Sequence, residues 1–428
     1  MPPGERDEGR RVVADDGILD ALPGSSGLAA NEQARQAAAN GNALGLFVPL
    51  ENPGGTAMHR FFEALRQLEH ADPGSPQKVR ILAYGASHTQ ADIYTAYLRH
   101  YLQLRFGNGG RGFLPIARIN RWHRQPNIKL EHHDGWVITH AQRRDAPEVG
   151  FYGLIGMSVT GKSRRNWARV GPTNAKIEAD HGSAYEIYYL AQPGGGRFRL
   201  SVDGKVAGVV ETRAGSTHAG YHAVSRENKA HEIEVRVAGR GEVTLFGLSV
   251  ENSRSGVVVD TLGISGTRAS NMLRWDAEVW ADNVQRRDPA LVMLAYGTNE
   301  ATDEDQPIGH YRGQLRRVLQ RFKDALPRAS CLLVGPGDFP REIEDDVWVE
   351  RPRMAQIVDV QREIAWEMGC GFWDTMAFMG GIGSMHVWAT SRPRMASRDH
   401  IHLSRRGYVR LGMALTDAIM IDYDNPEP

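Results

Sequence analysis

Cysteine is nearly missing from this chain: of 428 residues only Cys331 and Cys370 are cysteines, and they form no CxxC pair. Two cysteines cannot build a disulfide framework, and because both stand in apolar, strand-like runs they read as buried free thiols. An excess of charge is missing too. Lys and Arg total 51, and so do Asp and Glu, so no overall field recruits nucleic acid or an anionic membrane surface. No apolar run approaches the length of a membrane span. The opening residues, MPPGERDEGRR, are charged where a signal peptide would be apolar. The expectation is a cytoplasmic protein, or one whose export signal is not part of this chain. What is present, 41% hydrophobic and 24% charged residues, is enough for two or three soluble globular domains with proper cores.

The stretch from Val79 to Phe113 organises the rest. Val79 to Tyr84 is a short apolar run of strand type, Gly85 ends it, and the turn continues Ala86-Ser87-His88-Thr89. Tyr94, Tyr97, Leu98, Tyr101, Leu102, Leu104 and Phe106 then recur at three- and four-residue spacing, which predicts an amphipathic helix. Ser87 thus falls between a strand end and a helix start, where ligands bind in open parallel sheets and free N–H groups meet negative charge. A plain helix cap would explain the same serine, so its chemistry depends on finding a base.

Upstream, residues 1–42 read as a mobile tail with one short helix. Leu44 to Leu50 is apolar, Thr56 to Leu68 has helical spacing, and Ala71 to Gln77 is a Pro/Gly linker. Gly107 to Gly112 matches GxGxxG but follows a helix instead of a strand, which rules out a dinucleotide fingerprint. Arg111, Arg118, Arg121 and Arg124, interleaved with Phe113 and Trp122, read as a loop lining a substrate groove. From 125 to 252 the apolar period changes to two: Phe198, Leu200 and Val202 alternate, as do Ile233, Val235 and Val237. With Tyr185 to Leu190 and Val243 to Val250, these predict an inserted β-sandwich. His132, His133 and Asp134 lack a fourth ligand and read as loop residues, with no metal expected.

After 255, short apolar strands at Val257 to Leu262, Leu291 to Tyr296, Cys331 to Val334 and Cys370 to Trp373 alternate with helical patterns near 268–283, 308–325 and 353–368. With Ile81 to Tyr84 this makes an α/β domain, a five-stranded parallel, doubly wound sheet split by the insertion. The expected division is 43–124 with 253–428 for that domain and 125–252 for the sandwich. Ser404 is placed to cap a last helix.

Just before that helix stands Asp399-His400-Ile401-His402. A D-x-x-H turn sets a carboxylate against one imidazole nitrogen while the other faces a serine, giving the order Ser87, Asp399, His402. Gly266 after the second strand and Asn299 after the third fall on the same sheet edge as Ser87, where donors to an oxyanion belong. Asn299 would equally suit a turn and His402 a helix cap. His88, His386 and His400 are weaker bases, and Asp374, at the end of the fifth strand, is the alternative acid.

These four blocks resemble the SGNH or GDSL hydrolase superfamily, whose Ser, Gly, Asn and His appear in this order. The resemblance implies a flavodoxin-like sheet, with Ser87 as nucleophile, Asp399 and His402 as the remaining catalytic pair, and Ser87, Gly266 and Asn299 as oxyanion donors. It implies no cofactor. The SHTQAD and FGNGGRGF stretches, and Phe372 through Met385, are similar to bacterial peptidoglycan or polysaccharide O-acetylesterases that carry an inserted β-sandwich. The expected partner is then an O-acetylated polysaccharide or peptidoglycan, and the expected place of work lies outside the cytoplasm. The family's acidic residue before the nucleophile is Ala86 here. A glycan-binding protein with a decayed site, or a lipase or thioesterase on the same fold, are the alternatives. Trp122, Trp136 and Trp167 would suit stacking on sugars.

Overall fold

The computed structural model describes residues 46–425 except 73–75, 121, 122, 124 and 144. The expected tail over 1–42, the beginning of the run at Leu44, the middle of the Pro/Gly linker, and Arg121, Trp122 and Arg124 lie outside the described residues.

Five strands, Lys78–Gly85, Gly256–Gly263, Leu291–Ala295, Ser330–Val334 and Gly371–Trp373, form one sheet. Every neighbouring pair is parallel, and the spatial order is second, first, third, fourth, fifth. This is the flavodoxin-like order, with its switch point beside the first strand. The strands are mostly apolar because both faces are covered. Val79, Ile81 and Ala83 pack with Phe61, Leu98 and Leu415 from the helices His59–Glu69, Tyr94–Phe106 and Arg405–Asp424. Leu82 and Tyr84 join the opposite core with Trp280, Leu315 and Ile357 from Ala277–Arg287, Ile308–Ala325 and Pro352–Glu367.

Two details depart from the sequence reading. Leu104, counted on the buried helix face, is 74% exposed. The helix expected over 268–283 is a 3-10 turn, Ala269–Arg274, followed by Ala277–Arg287. The break falls at Trp275 and Asp276, where Asp276 caps the second helix by accepting the Val279 N–H.

The insertion between the first and second parallel strands contains two antiparallel sheets. One runs Ile128–His132, Trp167–Pro172, Ile233–Gly239, Arg197–Val202, Lys205–Glu211. The other runs His218–Lys229, Gly182–Ala191, Val243–Glu251, Met157–Gly161, Val137–His140, and Gly112–Leu114 also pairs with Val243–Glu251. All of Val243–Glu251 is buried. One hydrophobic core runs from the sandwich into the parallel sheet, the Tyr84 hydroxyl donates to the Leu154 carbonyl at 2.9 Å, and Glu251 accepts from Arg80 and Arg287.

The cysteines correct the free-thiol expectation. They form a disulfide, with Cα atoms 4.8 Å apart. Leu332 pairs with Gly371 in the parallel ladder, so Cys331 and Cys370 are register neighbours. Their sequence separation of 39 gives no sign of it.

Candidate active site

Ser87 opens the short helix Ser87–Gln90 immediately after the first strand. The turn is tight: a Cβ on Gly85 would lie 2.8 Å from the Ala295 carbonyl oxygen of the third strand. Thr89 is fully buried and its hydroxyl bonds Tyr94 at 2.8 Å. Asp92, in the left-handed region at φ 46°, bonds Arg99, Arg111, Thr95 and Thr261. Burial works against its charge, but Arg99 and Arg111 outweigh it and hold the carboxyl at about 2.

At the far end of the chain, His400 takes φ 52° and turns the backbone. Asp399 Oδ1 accepts the N–H groups of Ile401 and His402, both at 3.0 Å. Its Oδ2 lies 2.7 Å from His402 Nδ1, and His402 Nε2 lies 2.9 Å from Ser87 Oγ. Burial raises the Asp399 carboxyl, yet the His402 bond and the two backbone N–H groups prevail and leave it lowered. Ser404 caps the following helix through the Gly407 N–H at 3.2 Å. A hydroxyl, an imidazole and a carboxylate joined in this order make a line for proton transfer. Asp374 is not part of it: its Oδ1 accepts the Ala377 N–H and its Oδ2 is taken by Arg362 at 2.5 Å.

Gly266 and Asn299 meet on the same sheet edge. Gly85 pairs with Gly263, and the Gln90 carboxamide oxygen accepts the Ser265 N–H at 2.9 Å, which ties the Gly266 loop to the turn of Ser87. Gly266 has φ 79°, a conformation that favours glycine. Asn299 Nδ2 donates to the Thr267 carbonyl at 2.9 Å, leaving its second N–H for another acceptor. Sequence reasoning missed what fixes these two loops. The buried Glu300 carboxylate accepts the N–H of Gly297 at 3.0 Å and of Ala269 at 2.8 Å, and Arg268 forks onto Asp303 at 2.7 and 2.8 Å. Burial pushes the Glu300 carboxyl up. A charged residue directly after Asn299 was visible as a signal, but not that it would point inward.

The remaining candidates separate. His88 Nδ1 bonds the Tyr408 hydroxyl at 2.9 Å. His386 and His400 bond each other at 3.1 Å, and Trp348, from the exposed hairpin Arg341–Glu344 and Val347–Val349, stacks on His400 at 3.7 Å. Arg111 does not line a groove, because Asp92 holds it in the interior. Trp136 is buried with its indole N–H on the Trp167 carbonyl. Beneath His88 a cavity of about 40 Å³ is lined by Met379, Met385, Leu403 and Leu411. Among the described residues no cluster of three or more His, Cys, Asp or Glu is placed to hold a metal ion, and no helix is long and apolar enough to cross a membrane.

Known proteins resemble parts of this chain. The GDSL-like Lipase/Acylhydrolase family matches residues 219–410, a span that includes Gly266, Asn299, Asp399 and His402 and leaves Ser87 outside. Among solved structures, a peptidoglycan O-acetylesterase is 23% identical with a TM-score of 0.69, covering 85% of this chain and 96% of its own. An acetyl xylan esterase is 16% identical with a TM-score of 0.29, over 39% of this chain and 81% of its own. A family two carbohydrate esterase from Cellvibrio japonicus is 12% identical with a TM-score of 0.28, over 69% of this chain and 100% of its own. No curated protein matches the chain. In its sequence from 219 to 410 the chain resembles the SGNH/GDSL hydrolase superfamily, and over 85% of its length it shares the fold of a peptidoglycan O-acetylesterase.

Proposed function

We propose that this protein is a serine esterase that removes O-acetyl groups from a polysaccharide or peptidoglycan through an acetyl-enzyme on Ser87. The observation that carries the reading is the hydrogen-bonded line from Ser87 Oγ through His402 to Asp399, at 2.9 and 2.7 Å. Ser87 Oγ attacks the ester carbonyl carbon while His402 Nε2 takes its proton, and Asp399 supports the imidazolium at Nδ1. The oxyanion is received by the N–H groups of Ser87 and Gly266 and by the free N–H of Asn299. His402 returns the proton to the departing sugar oxygen, leaving acetyl-Ser87. Water, deprotonated by the same nitrogen, then releases acetate. Ala86, where the family has an acidic residue, leaves this line intact, because that residue takes no proton.

The likeness to an esterase that acts on peptidoglycan supports the glycan as substrate class, and residues 125–252 serve in this reading as the unit that contacts it. A disulfide persists in an oxidising compartment, which fits work on such a polymer outside the cytoplasm. The deciding experiment incubates the protein with a fluorophosphonate probe, with p-nitrophenyl esters of increasing chain length, and with O-acetylated peptidoglycan. Labelling at Ser87 with acetate release from the glycan supports the esterase. A preference for chains of eight or more carbons selects the lipase reading. Absence of labelling together with tight glycan binding selects the binding protein.

A further inference from the structure

The loop between the sandwich strands Val137–His140 and Met157–Gly161 comes down on the candidate oxyanion site. A Cβ built on Gly266 would lie 2.3 Å from Gln142 Nε2, so the Gln142 carboxamide rests directly against the glycine whose N–H faces the oxyanion in the proposed mechanism. Gln142 is exposed, and its carboxamide makes no hydrogen bond among the described residues.

This approach is held in place by the segment that carries Gly266. Arg274, eight residues further on, spreads its guanidinium over the loop: Nη1 donates to the Ala141 carbonyl at 2.5 Å, Nη2 to Pro147 at 2.9 Å, and Nε to Glu148 at 3.3 Å. The Arg274 carbonyl in turn accepts the Gly150 N–H at 2.9 Å. Ala141 is buried, and Arg143 and Asp145 form a two-bond pair at 2.8 and 2.9 Å. A loop gripped on its carbonyls keeps Gln142 at one position beside the site, which an ordinary solvated surface glutamine does not have.

We propose that Gln142 is a specificity-determining residue, contributed by the inserted domain, that hydrogen-bonds the sugar ring bearing the scissile acetyl group. The inference rests on the esterase reading above. In an O-acetyl ester the sugar carbon is three bonds from the carbonyl oxygen, so an oxygen bound at the Gly266 N–H brings the ring against Gln142. A carboxamide both donates and accepts, which matches the hydroxyl and N-acetyl groups of a sugar and carries no charge to be neutralised.

The test compares kcat/KM for O-acetylated peptidoglycan with kcat/KM for p-nitrophenyl acetate, which has no sugar, in the full-length protein and in Gln142→Ala and Gln142→Met. The glycan-to-nitrophenyl ratio is expected to fall about tenfold in both variants, the worth of one well-placed hydrogen bond. An unchanged ratio in Gln142→Ala overturns the role. A fall in Gln142→Ala that Gln142→Met restores also overturns it, since bulk alone would then suffice. If the unsubstituted protein releases no acetate from the glycan while hydrolysing p-nitrophenyl acetate, the glycan reading itself fails and the role of Gln142 falls with it.

Discussion

His402 Nε2 stands 2.9 Å from Ser87 Oγ although 315 positions separate them in the chain. The contact exists because the turn after the first strand and the turn before the last helix open on the same edge of the sheet. The carboxylate on the other side of the imidazole comes from only three residues away.

Replacing either end of this line should stop turnover. Ser87→Ala and His402→Ala are each expected to lower kcat for p-nitrophenyl acetate by more than about a thousandfold, because members of such a line act as a unit. Asp399→Ala should cost far more than Asp374→Ala, whose carboxylate is engaged by Arg362 and the Ala377 N–H. Steady-state kinetics on the four variants checks the order, and a larger loss in Asp374→Ala would reassign the acid.

Asn299→Ala should reduce kcat by about a hundred- to a thousandfold with little change in KM, the pattern of a donor that acts mainly in the transition state. An effect confined to KM would make Asn299 a binding or turn residue, in keeping with its bond to Thr267.

Glu300 is expected to matter without touching substrate. Glu300→Ala strands the N–H groups of Gly297 and Ala269, at about 1 to 3 kcal/mol for each buried group left unpaired. Chemical denaturation should show that loss, and kcat should fall because both donor loops loosen. Glu300→Gln, which keeps an acceptor, should recover part of each.

Stability should fall in mild acid. Burial, and then the nearby charge of His402, pushes His88 from 6.5 down to about 3. Between those values the unfolded chain binds a proton that the folded one does not, so stability is full above pH 6.5 and is lost as pH falls toward 3, by on the order of 1 kcal/mol per pH unit. Urea unfolding at pH 7 and pH 5 should show a smaller difference for His88→Gln than for the parent protein; equal differences would remove His88 as a cause.

The link between the fourth and fifth strands gives a further check. Cys331→Ala is expected to destabilise by about 2 to 4 kcal/mol, and alkylation without reduction should leave both cysteines of the parent unlabelled by mass spectrometry.

Local chemistry in the sequence determined a good deal. Apolar runs bounded by glycine gave the five strands, three- and four-residue spacing gave their helices except for the break within 268–283, Ser404 gave the last cap, and the D-x-x-H turn joined Asp399 to His402, since each depends on residues close together in the chain. The blocks around Ser87, Gly266, Asn299 and His402 were legible for the same reason. Contacts between distant segments were decided only by the tertiary structure. Parallel register, not spacing, joined Cys331 to Cys370. Asp92 drew Arg111 into the interior, where its sequence neighbours had marked it as a groove residue. Asp374, the alternative acid beside Asp399 in the sequence, is occupied by Arg362 in the folded chain. Gln142 meets Gly266 because Arg274 pulls a loop of one sheet system onto the edge of another. Periodicity records which face of an element is buried; what covers that face is set by how the elements pack.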